Sequence, residues 1–198
     1  MATRGGEEVE IKVAVGDRKA FARLLKDAGF RVQTPRTFES NSLYDLPTGR
    51  LRRRGELLRI RRYGKDWTLT FKAKGKSGGH HKRREEIETK LVDGRKLEEI
   101  LLRTGMTRSF VYEKYRTEFT DGRGHVVLDE TPIGDFAEIE GPPRWIDATA
   151  KKLGMGIVEY ITGSYAELFF AWKHRTRSSA HEMTFAAVKP VKPLTRRR

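Results

Sequence analysis

Charged side chains recur at every second position in several short stretches of the sequence, and this spacing could build a site. Near the N-terminus, Glu8, Glu10 and Lys12 alternate with Val9 and Ile11. Because successive side chains of a β-strand point to opposite faces, such a stretch has one charged face and one apolar face. Similar stretches farther along the chain supply Arg59, Arg61, Lys72, Lys74, Arg84, Glu86, Glu88, Lys114, Arg116, Asp129, Glu138 and Glu140.

These residue types favour chemistry on a polyphosphate if they share one enclosed space. Arg presents a planar fork to phosphate oxygens, and Lys presents a compact point charge. Carboxylates in the same space would repel the anion unless a hard cation stood between them. Mg²⁺ or Mn²⁺ binds carboxylate oxygens and bridges to phosphates. The pattern therefore predicts a metal-assisted site for a compact polyanion, a combination that supports phosphoryl transfer.

The elements that carry these residues decide which way the charged faces point. Taken singly, each stretch is also typical of an ordinary strand with a solvated outer face. However, amphipathic helices are predicted after Asp17 and after Asp93, and their apolar stripes need sheet surface to cover. If the helices cover the outside of a closed barrel, the charged faces point inward. Because unpaired buried charges are too costly, the interior must be a wet channel that holds counter-charge.

The sequence also contains an internal repeat. Residues 10–30 align without a gap with residues 86–106, so that Asp17 falls on Asp93, 76 residues later. Each copy leads to a strand with alternating bases, in LRIR and in EKYR. Strand–helix pairs resemble one another, so one match could arise by chance. However, both copies share an Asp at the helix N-cap, an apolar face on the helix and a Gly at its end, which favours duplication. We therefore expect two pseudo-symmetric halves.

Composition sets the broad class. A chain of 198 residues with 37% hydrophobic residues suits one domain, and the absence of Cys excludes disulfide and thiolate chemistry. No signal peptide or membrane span is apparent, so we expect a cytoplasmic protein without membrane contact. The net charge of +14 favours polyanionic partners. Residues 1–6 and the basic residues 176–198 are predicted to be disordered, and the latter could bind nucleic acid weakly.

These motifs, taken in order, resemble the CYTH superfamily, also called triphosphate tunnel metalloenzymes. The resemblance covers about residues 7–175 and implies an α+β fold, a closed eight-stranded antiparallel β-barrel that forms a tunnel with helices outside. The short E-x-E-x-K motif is weak alone, whereas seven elements in order are specific. The matching motifs are E-x-E-x-K (Glu8, Glu10, Lys12), R-x-R (Arg59, Arg61), a Lys (Lys72), R-x-E-x-E (Arg84, Glu86, Glu88), K-x-R (Lys114, Arg116), an Asp (Asp129) and E-x-E (Glu138, Glu140).

The resemblance also implies roles for these residues. Mg²⁺ or Mn²⁺ would be held by Glu8, Glu10, Glu138 and Glu140, with Glu86, Glu88 and Asp129 as further metal or water-positioning carboxylates. The implied phosphate ligands are Lys12, Arg59, Arg61, Lys72, Arg84, Lys114 and Arg116. In some members a Tyr–Lys pair helps to activate water, and Tyr44 with Lys72 is the candidate pair here, although Tyr44 could equally be a packing residue.

The reaction stays open between two alternatives within this family. Hydrolysis of a triphosphate, inorganic or organic, is the first expectation. Conversion of ATP to cyclic AMP and pyrophosphate by a class IV adenylyl cyclase is the second, because both reactions can use the same metals and bases. A barrel that binds polyphosphate or nucleic acid without turnover is the alternative from another class. The oligomeric state does not follow from the sequence.

Overall fold

The computed structural model describes residues 6–75 and 80–188. The strands are β1 (Gly6–Val15), β2 (Arg31–Asp45), β3 (Leu57–Tyr63), β4 (Asp66–Lys72), β5 (Lys82–Leu91), β6 (Thr107–Thr120), β7 (His125–Thr131) and β8 (Gly134–Glu140). The α-helices are α1 (Arg18–Asp27), α2 (Arg50–Arg53), α3 (Gly94–Arg103), α4 (Pro143–Lys152) and α5 (Tyr165–Thr176), and a 3₁₀ turn covers Ile157–Glu159.

These strands close into a barrel in the order β1-β5-β4-β3-β2-β6-β7-β8, with β8 paired to β1. Every neighbouring pair is antiparallel. Closure leaves no free sheet edge and gives each strand an inner and an outer face. The predicted closed eight-stranded antiparallel barrel, with helices packed outside, is confirmed.

The internal repeat is visible in the element boundaries. β1 and α1 map onto β5 and α3 at the offset of 76 residues found in the sequence. Asp17 and Asp93 cap their helices in the same way, each accepting hydrogen bonds from the backbone N–H groups two and three residues later. Exchanging the two halves reproduces the same strand order around the ring. The two strands with alternating bases, β3 and β6, were wrongly matched to each other. The symmetry relates β3 to β7 and β6 to β2.

The sequence did not predict the long strand β2. Its segment is polar, and Pro35 cannot donate a backbone hydrogen bond to a partner strand. In the structure the pairing of β2 with β6 shifts register between Val32 and Thr34 and again between Thr34 and Thr37. Pro35 lies at this irregularity, where a missing ladder hydrogen bond is tolerated. Tertiary pairing therefore overrides a weak local signal.

The main apolar core lies between the outer face of the barrel and the helices α1 and α4. Ile11 and Ile139 of neighbouring strands are fully buried there, against Leu25 of α1 and Ile146 of α4. The apolar faces of these strands therefore point outward to the helices, as the sequence pattern predicted. This arrangement leaves the opposite, charged faces to line the inside.

A second core lies where α5 packs against β6. Phe169 of α5 is fully buried with its ring centre 5.4 Å from that of Phe110, and Tyr165 stacks on Tyr112. The chain then continues along β6, where Met183 is fully buried. Its backbone N–H donates to Val111 O at 3.0 Å, and its carbonyl accepts from Glu113 N at 2.9 Å.

The predicted disorder of residues 176–198 is therefore wrong as far as residue 188, because the segment offers Met183 and Val188 to this second core. Residues 189–198, like residues 1–5, lie outside the described residues. A helix long and apolar enough to cross a membrane is not found in the described part of the chain.

Candidate active site inside the barrel

The inner faces of the strands enclose a charged cavity of about 380 Å³, called here the barrel cavity. It contains every site residue predicted from the sequence except Tyr44 and Asp129. Its lining consists of Glu7, Glu8, Glu10, Lys12, Leu57, Arg59, Arg61, Lys72, Lys82, Arg84, Glu86, Glu88, Tyr112, Lys114, Arg116, Glu138, Glu140, Ser164 and Tyr165. The i, i+2 alternation thus brings residues from distant parts of the chain into one space.

Strand register sets these charges opposite one another. Lys72 of β4 faces Glu86 of β5, and Lys12 of β1 faces Glu138 of β8. Both pairs are ion pairs, with Lys72 Nζ 2.8 Å from Glu86 Oε2 and Lys12 Nζ 3.1 Å from Glu138 Oε1. Lys72 Nζ also donates to Glu8 Oε2 at 2.6 Å. The side chains of the cavity therefore balance most of its charge.

Carboxylates accumulate where β1 meets β8. Glu10 lies directly opposite Glu140, and Glu8 is one strand repeat away. Burial, followed by the negative charges of Glu8 and Glu10, raises the pKa of Glu140 to about 7. The Glu140 side chain is exposed to solvent. A bound cation would remove the part of the pKa increase that comes from repulsion by Glu8 and Glu10. These oxygen donors suit a hard divalent cation.

The same carboxylates are held by ammonium groups in the structure. Glu8 accepts from Lys72 as described, and Glu10 Oε1 accepts from Lys82 Nζ at 2.6 Å. Across residues 6–75 and 80–188, no three acidic or His side chains already form a metal-binding group. A cation bound by Glu8, Glu10 and Glu140 would have to take the places of the two Lys ammonium groups.

Two strands away from β8, Lys114 and Arg116 of β6 share a buried acid on β7. Lys114 Nζ and Arg116 Nε donate to Asp129 at 2.9 Å and 2.8 Å, and the Tyr165 hydroxyl donates to the same carboxylate at 2.7 Å. Asp129 is fully buried and does not line the cavity. Because this carboxylate lies outside the cavity lining, the geometry does not fit the predicted metal-ligand role. Asp129 instead holds the two bases in place.

The remaining bases lie near Glu86 and Glu88. Arg59 Nη2 donates to the Thr70 hydroxyl at 3.2 Å, and that hydroxyl donates to Glu88 at 2.8 Å. Arg61 is 3.5 Å from Glu88. Glu86 and Glu88 are therefore tied to this basic wall rather than to the carboxylates of β8. Arg84 is fixed by the backbone, because its guanidinium group donates hydrogen bonds to the carbonyl oxygens of Ala73 at 2.8 Å and Gly55 at 2.7 Å.

The structure does not bring Tyr44 to Lys72. Tyr44 pairs with Leu58, whereas its neighbour Leu43 pairs with the inward-facing Arg59. The Tyr44 ring therefore lies on the outer face, is almost fully buried, and approaches Glu98 of α3. Its burial, with this acid nearby, raises the pKa of the hydroxyl. The packing alternative considered for Tyr44 fits this geometry, and the water-activating pair does not.

The structure adds residues that sequence reasoning missed. Lys82 extends the alternation of Arg84, Glu86 and Glu88 by one step, so a longer window would have found it. Glu39 is fully buried, and its pKa is lowered to about 2 because the charges of Lys114 and Arg116 outweigh its burial. Tyr165 lies under two bases, with Lys12 Nζ 4.4 Å and Lys114 Nζ 4.8 Å from its ring centre. Nothing local distinguishes Glu39 or Tyr165 as inward-facing.

The profile of the CYTH domain matches residues 6–152. A protein of Methanocaldococcus jannaschii, provisionally named an adenylate cyclase, is 29% identical over 134 residues, which cover 67% of this chain and 75% of that protein.

Solved structures show the same fold. A protein of Vibrio parahaemolyticus, provisionally described as an adenylate cyclase, superposes with a TM-score of 0.72 at 22% identity, covering 84% of this chain and 99% of that one. A protein of Pyrococcus horikoshii superposes with a TM-score of 0.68 at 25% identity, covering 83% of this chain and 98% of that one. A protein of Hippeastrum superposes with a TM-score of 0.64 at 20% identity, covering 83% of this chain and 95% of that one. It is provisionally named an adenylyl cyclase and is described as revealing a dominant triphosphatase activity.

Proposed function

The chain belongs to the CYTH domain family, and we propose that it is an enzyme that binds a triphosphate group in the barrel cavity and hydrolyses it with the help of Mg²⁺ or Mn²⁺. The convergence of bases from five strands in one cavity supports this proposal. A linear triphosphate is long enough to contact several of them at once. Arg and Lys side chains supply the charge-assisted hydrogen bonds that phosphate oxygens accept. These bases are Lys12, Arg59, Arg61, Lys72, Lys82, Arg84, Lys114 and Arg116.

The carboxylates of β1 and β8 would hold the metal. Glu8, Glu10 and Glu140 supply hard oxygen donors, and the strand register that sets Glu10 opposite Glu140 is the observation that supports a cation there. Glu138 can join them only by leaving Lys12 and Arg116. When bound, a divalent cation would neutralise charge on the phosphates and lower the pKa of a water molecule.

Lys72 suits an electrostatic role in this proposal. Burial lowers the pKa of its ammonium group, but Glu8 and Glu86 more than compensate and the net pKa is raised. Lys72 therefore stays protonated at neutral pH, and it can stabilise negative charge on a phosphate or a leaving group. It is poorly suited to accept a proton from water. In this proposal Lys72 acts as a cation, and not as the partner of Tyr44 that helps to activate water.

Cyclisation of ATP is the second candidate. It rests on the provisional cyclase names of related proteins and on the same set of bases and carboxylates. The ribose 3′-oxygen would have to reach the α-phosphorus, with pyrophosphate leaving. A protein that binds the triphosphate without turnover is the third possibility, and the experiment below separates all three.

The decisive experiment supplies tripolyphosphate or ATP with Mg²⁺ or Mn²⁺ and resolves phosphate, pyrophosphate, ADP and cyclic AMP. Glu140→Gln is the test variant because Glu140 makes no ion pair among the described residues and its replacement should leave the fold intact. Glu99→Gln on the surface of α3, where Glu99 pairs with Arg103, is the matched control. Phosphate release that is lost only in Glu140→Gln supports hydrolysis. Cyclic AMP with equal pyrophosphate would instead support a cyclase, and binding without turnover would refute both.

A further inference from the structure

Two acids that do not reach the barrel cavity lie beside the bases of β6 that do. Of the eight strands in the described part of the chain, β2 and β7 give no side chain to the cavity lining. Both are neighbours of β6. Each places one fully buried carboxylate next to Lys114 and Arg116, namely Glu39 from β2 and Asp129 from β7. The two bases are therefore held by acids that lie behind the cavity wall.

The two acids hold these bases differently. Asp129 accepts hydrogen bonds from both of them, at 2.9 Å from Lys114 Nζ and at 2.8 Å from Arg116 Nε. Glu39 lies farther off, with Oε1 3.5 Å from Lys114 Nζ and Oε2 3.8 Å from Arg116 Nε. A charge-assisted hydrogen bond of this kind is usually about 2.7–2.9 Å long. Glu39 therefore acts on the two bases through its charge and not by occupying their N–H groups.

Asn41 explains the distance between Glu39 and the bases. Its Nδ2 atom donates to Glu39 Oε1 at 2.9 Å, and both side chains are fully buried on β2. Among the described residues, Glu39 Oε2 has no hydrogen-bond donor. A buried carboxylate oxygen without a donor is costly, and the N–H groups of Lys114 and Arg116 lie just beyond hydrogen-bond distance. The Asn41 amide thus holds the carboxylate back from them.

This arrangement affects how strongly the two bases attract an anion in the cavity. Glu39 is ionised at neutral pH because, although burial raises the pKa of its carboxyl, the charges of Lys114 and Arg116 lower it to about 2. Its negative charge offsets part of the attraction that these bases exert on a phosphate oxygen. If the carboxylate moved into hydrogen-bond contact with them, it would also compete with the phosphate for their N–H groups.

We infer that Glu39 and Asn41 are positioning residues that limit the affinity of the barrel cavity for the phosphates of its substrate. Glu39 weakens the hold of Lys114 and Arg116 on an anion, and Asn41 prevents Glu39 from weakening it further. Neither residue touches the substrate. A cavity limited in this way releases its anionic products more readily. The inference rests on the proposed function, because it takes both bases as ligands of the bound phosphates.

Glu39→Gln and Asn41→Ala have opposite expected effects and together test the inference. Glu39→Gln keeps the shape of the side chain and its contact with Asn41 but removes the charge, so tripolyphosphate should bind roughly threefold or more tightly. Asn41→Ala releases the Glu39 carboxylate to accept hydrogen bonds from Lys114 and Arg116. The same anion should then bind roughly threefold or more weakly, because it competes with a closer carboxylate.

Lys114 should keep its charge when Glu39 is replaced. Burial and the neighbouring Arg116 lower the pKa of Lys114, but the nearby acids, with Asp129 as the largest contribution, outweigh them and the net pKa is raised. Asp129 is still present in Glu39→Gln. The substitution therefore changes the counter-charge behind the wall and not the number of cations that face the cavity.

The matched control is Glu130→Gln. Glu130 is a partly buried acid on β7 that accepts two hydrogen bonds from Arg36 and does not line the barrel cavity. Its replacement removes the same charge from a neighbouring strand and should change the affinity by less than about twofold. Calorimetric titration of tripolyphosphate into the full-length protein without added metal measures all three variants, and circular dichroism shows that each is folded.

A purely structural role for Glu39 would not produce tighter binding when the residue is replaced. Unchanged or weaker binding in Glu39→Gln would therefore overturn the inference. If Glu39→Gln does not fold, Asn41→Ala decides alone, and unchanged or tighter binding in that variant would overturn the inference.

Equilibrium binding also separates this inference from the proposed function. Tighter binding in Glu39→Gln with weaker binding in Asn41→Ala supports the inference even if the wild-type protein hydrolyses nothing, an outcome that would refute only the proposed enzyme. Unchanged affinity in both variants, with phosphate release intact, would refute the inference and leave triphosphate hydrolysis standing.

Discussion

Lys72 shows how a cavity full of charges can exist in a folded protein. Its ammonium group lies within 2.8 Å of carboxylates from two different strands, Glu8 and Glu86. Breaking a buried ion pair by removal of one partner is strongly destabilising, because the other charge is then left uncompensated. The site residues therefore stabilise one another before any ligand arrives. A substrate must compete with these internal pairs, and each substitution in the cavity has a structural cost besides its effect on activity.

Tyr44 and Tyr165 provide a paired test at this scale. Tyr44→Phe should leave kcat/KM for the triphosphate substrate within roughly twofold, because its hydroxyl lies outside the barrel cavity. Tyr165→Phe keeps the ring but removes a hydrogen bond to Asp129, which holds Lys114 and Arg116. We expect a loss of roughly tenfold, corresponding to about 1.4 kcal/mol. Steady-state kinetics checks both, and a large loss in Tyr44→Phe would restore the water-activating pair.

Asp129 is predicted to matter for stability more than for metal binding. Asp129→Asn leaves the buried Lys114 and Arg116 without their shared counter-charge, so the free energy of unfolding should fall by about 3 kcal/mol. The control Asp147→Asn loses an exposed contact with His81 and should change stability by less than about 1 kcal/mol. Urea denaturation followed by circular dichroism measures both. Similar small changes in the two variants would show that Asp129 does not anchor the bases.

At the scale of elements, one acid joins the hairpin of β6 and β7 to helix α4. Asp121 accepts hydrogen bonds from the Trp145 indole at 3.0 Å and from the backbone N–H of Arg123 at 2.9 Å. The Trp145 ring in turn lies over Gly124, where a Cβ atom would approach the ring to 2.4 Å. Glycine is therefore required by this close packing. The contact fixes α4 against the outside of the barrel.

This contact predicts a dependence of stability on acid pH. Burial raises the pKa of Asp121, but the hydrogen bonds from Trp145 and Arg123 outweigh it and lower the pKa from 3.8 to about 2. A lowered pKa means that the stabilisation is present above 3.8 and is lost as the pH falls through about 2. As the pH is lowered from about 5 to about 2, the free energy of unfolding should therefore decrease less in Asp121→Asn than in the wild type. Urea titrations at several pH values would measure it, and parallel profiles would contradict it.

The sequence predicts those strands whose two faces differ in chemistry. In β1 and β5 the alternation is local, so it reveals both the strand and its inward side chains. It fails in β2, whose polar residues Glu39 and Asn41 are both fully buried inside the barrel. A register shift in the pairing with β6 lies between Leu43 and Tyr44, and no local pattern reveals which of these neighbours faces inward. Long-range pairing decides this, which explains why the sequence alone left Tyr44 open between a catalytic role and a packing role.

At the scale of the whole molecule, the large net positive charge contrasts with a cavity that is nearly balanced internally. The net charge is +14, yet most bases of the barrel cavity have a carboxylate partner. The excess therefore comes largely from the rest of the chain, including exposed bases such as Arg50, Arg52 and Arg53 of α2. A field of this sign attracts polyanions from a distance, whereas the cavity residues decide which anion stays.

This division predicts how salt affects the reaction. Raising KCl from about 50 to about 300 mM shortens the screening distance well below about 10 Å. The KM for tripolyphosphate or ATP should therefore rise several-fold, while kcat changes little because the groups inside the cavity are poorly screened. Steady-state kinetics at fixed free Mg²⁺ concentration would test this. A fall in kcat with unchanged KM would show that long-range attraction plays no part.

The duplicated barrel also gives the cavity a direction. Since β1 and β5 are antiparallel neighbours, the pseudo-two-fold axis that exchanges them crosses the barrel and exchanges its two ends. The backbone nearly obeys this symmetry, but two of the charges in β1 are reversed in β5. Glu8 maps onto Arg84 and Lys12 maps onto Glu88, whereas Glu10 maps onto Glu86. A phosphate chain entering from one end meets a different sequence of charges from one entering at the other. Even tripolyphosphate, whose ends are identical, would therefore be held with its two termini chemically distinct and cleaved at a defined one.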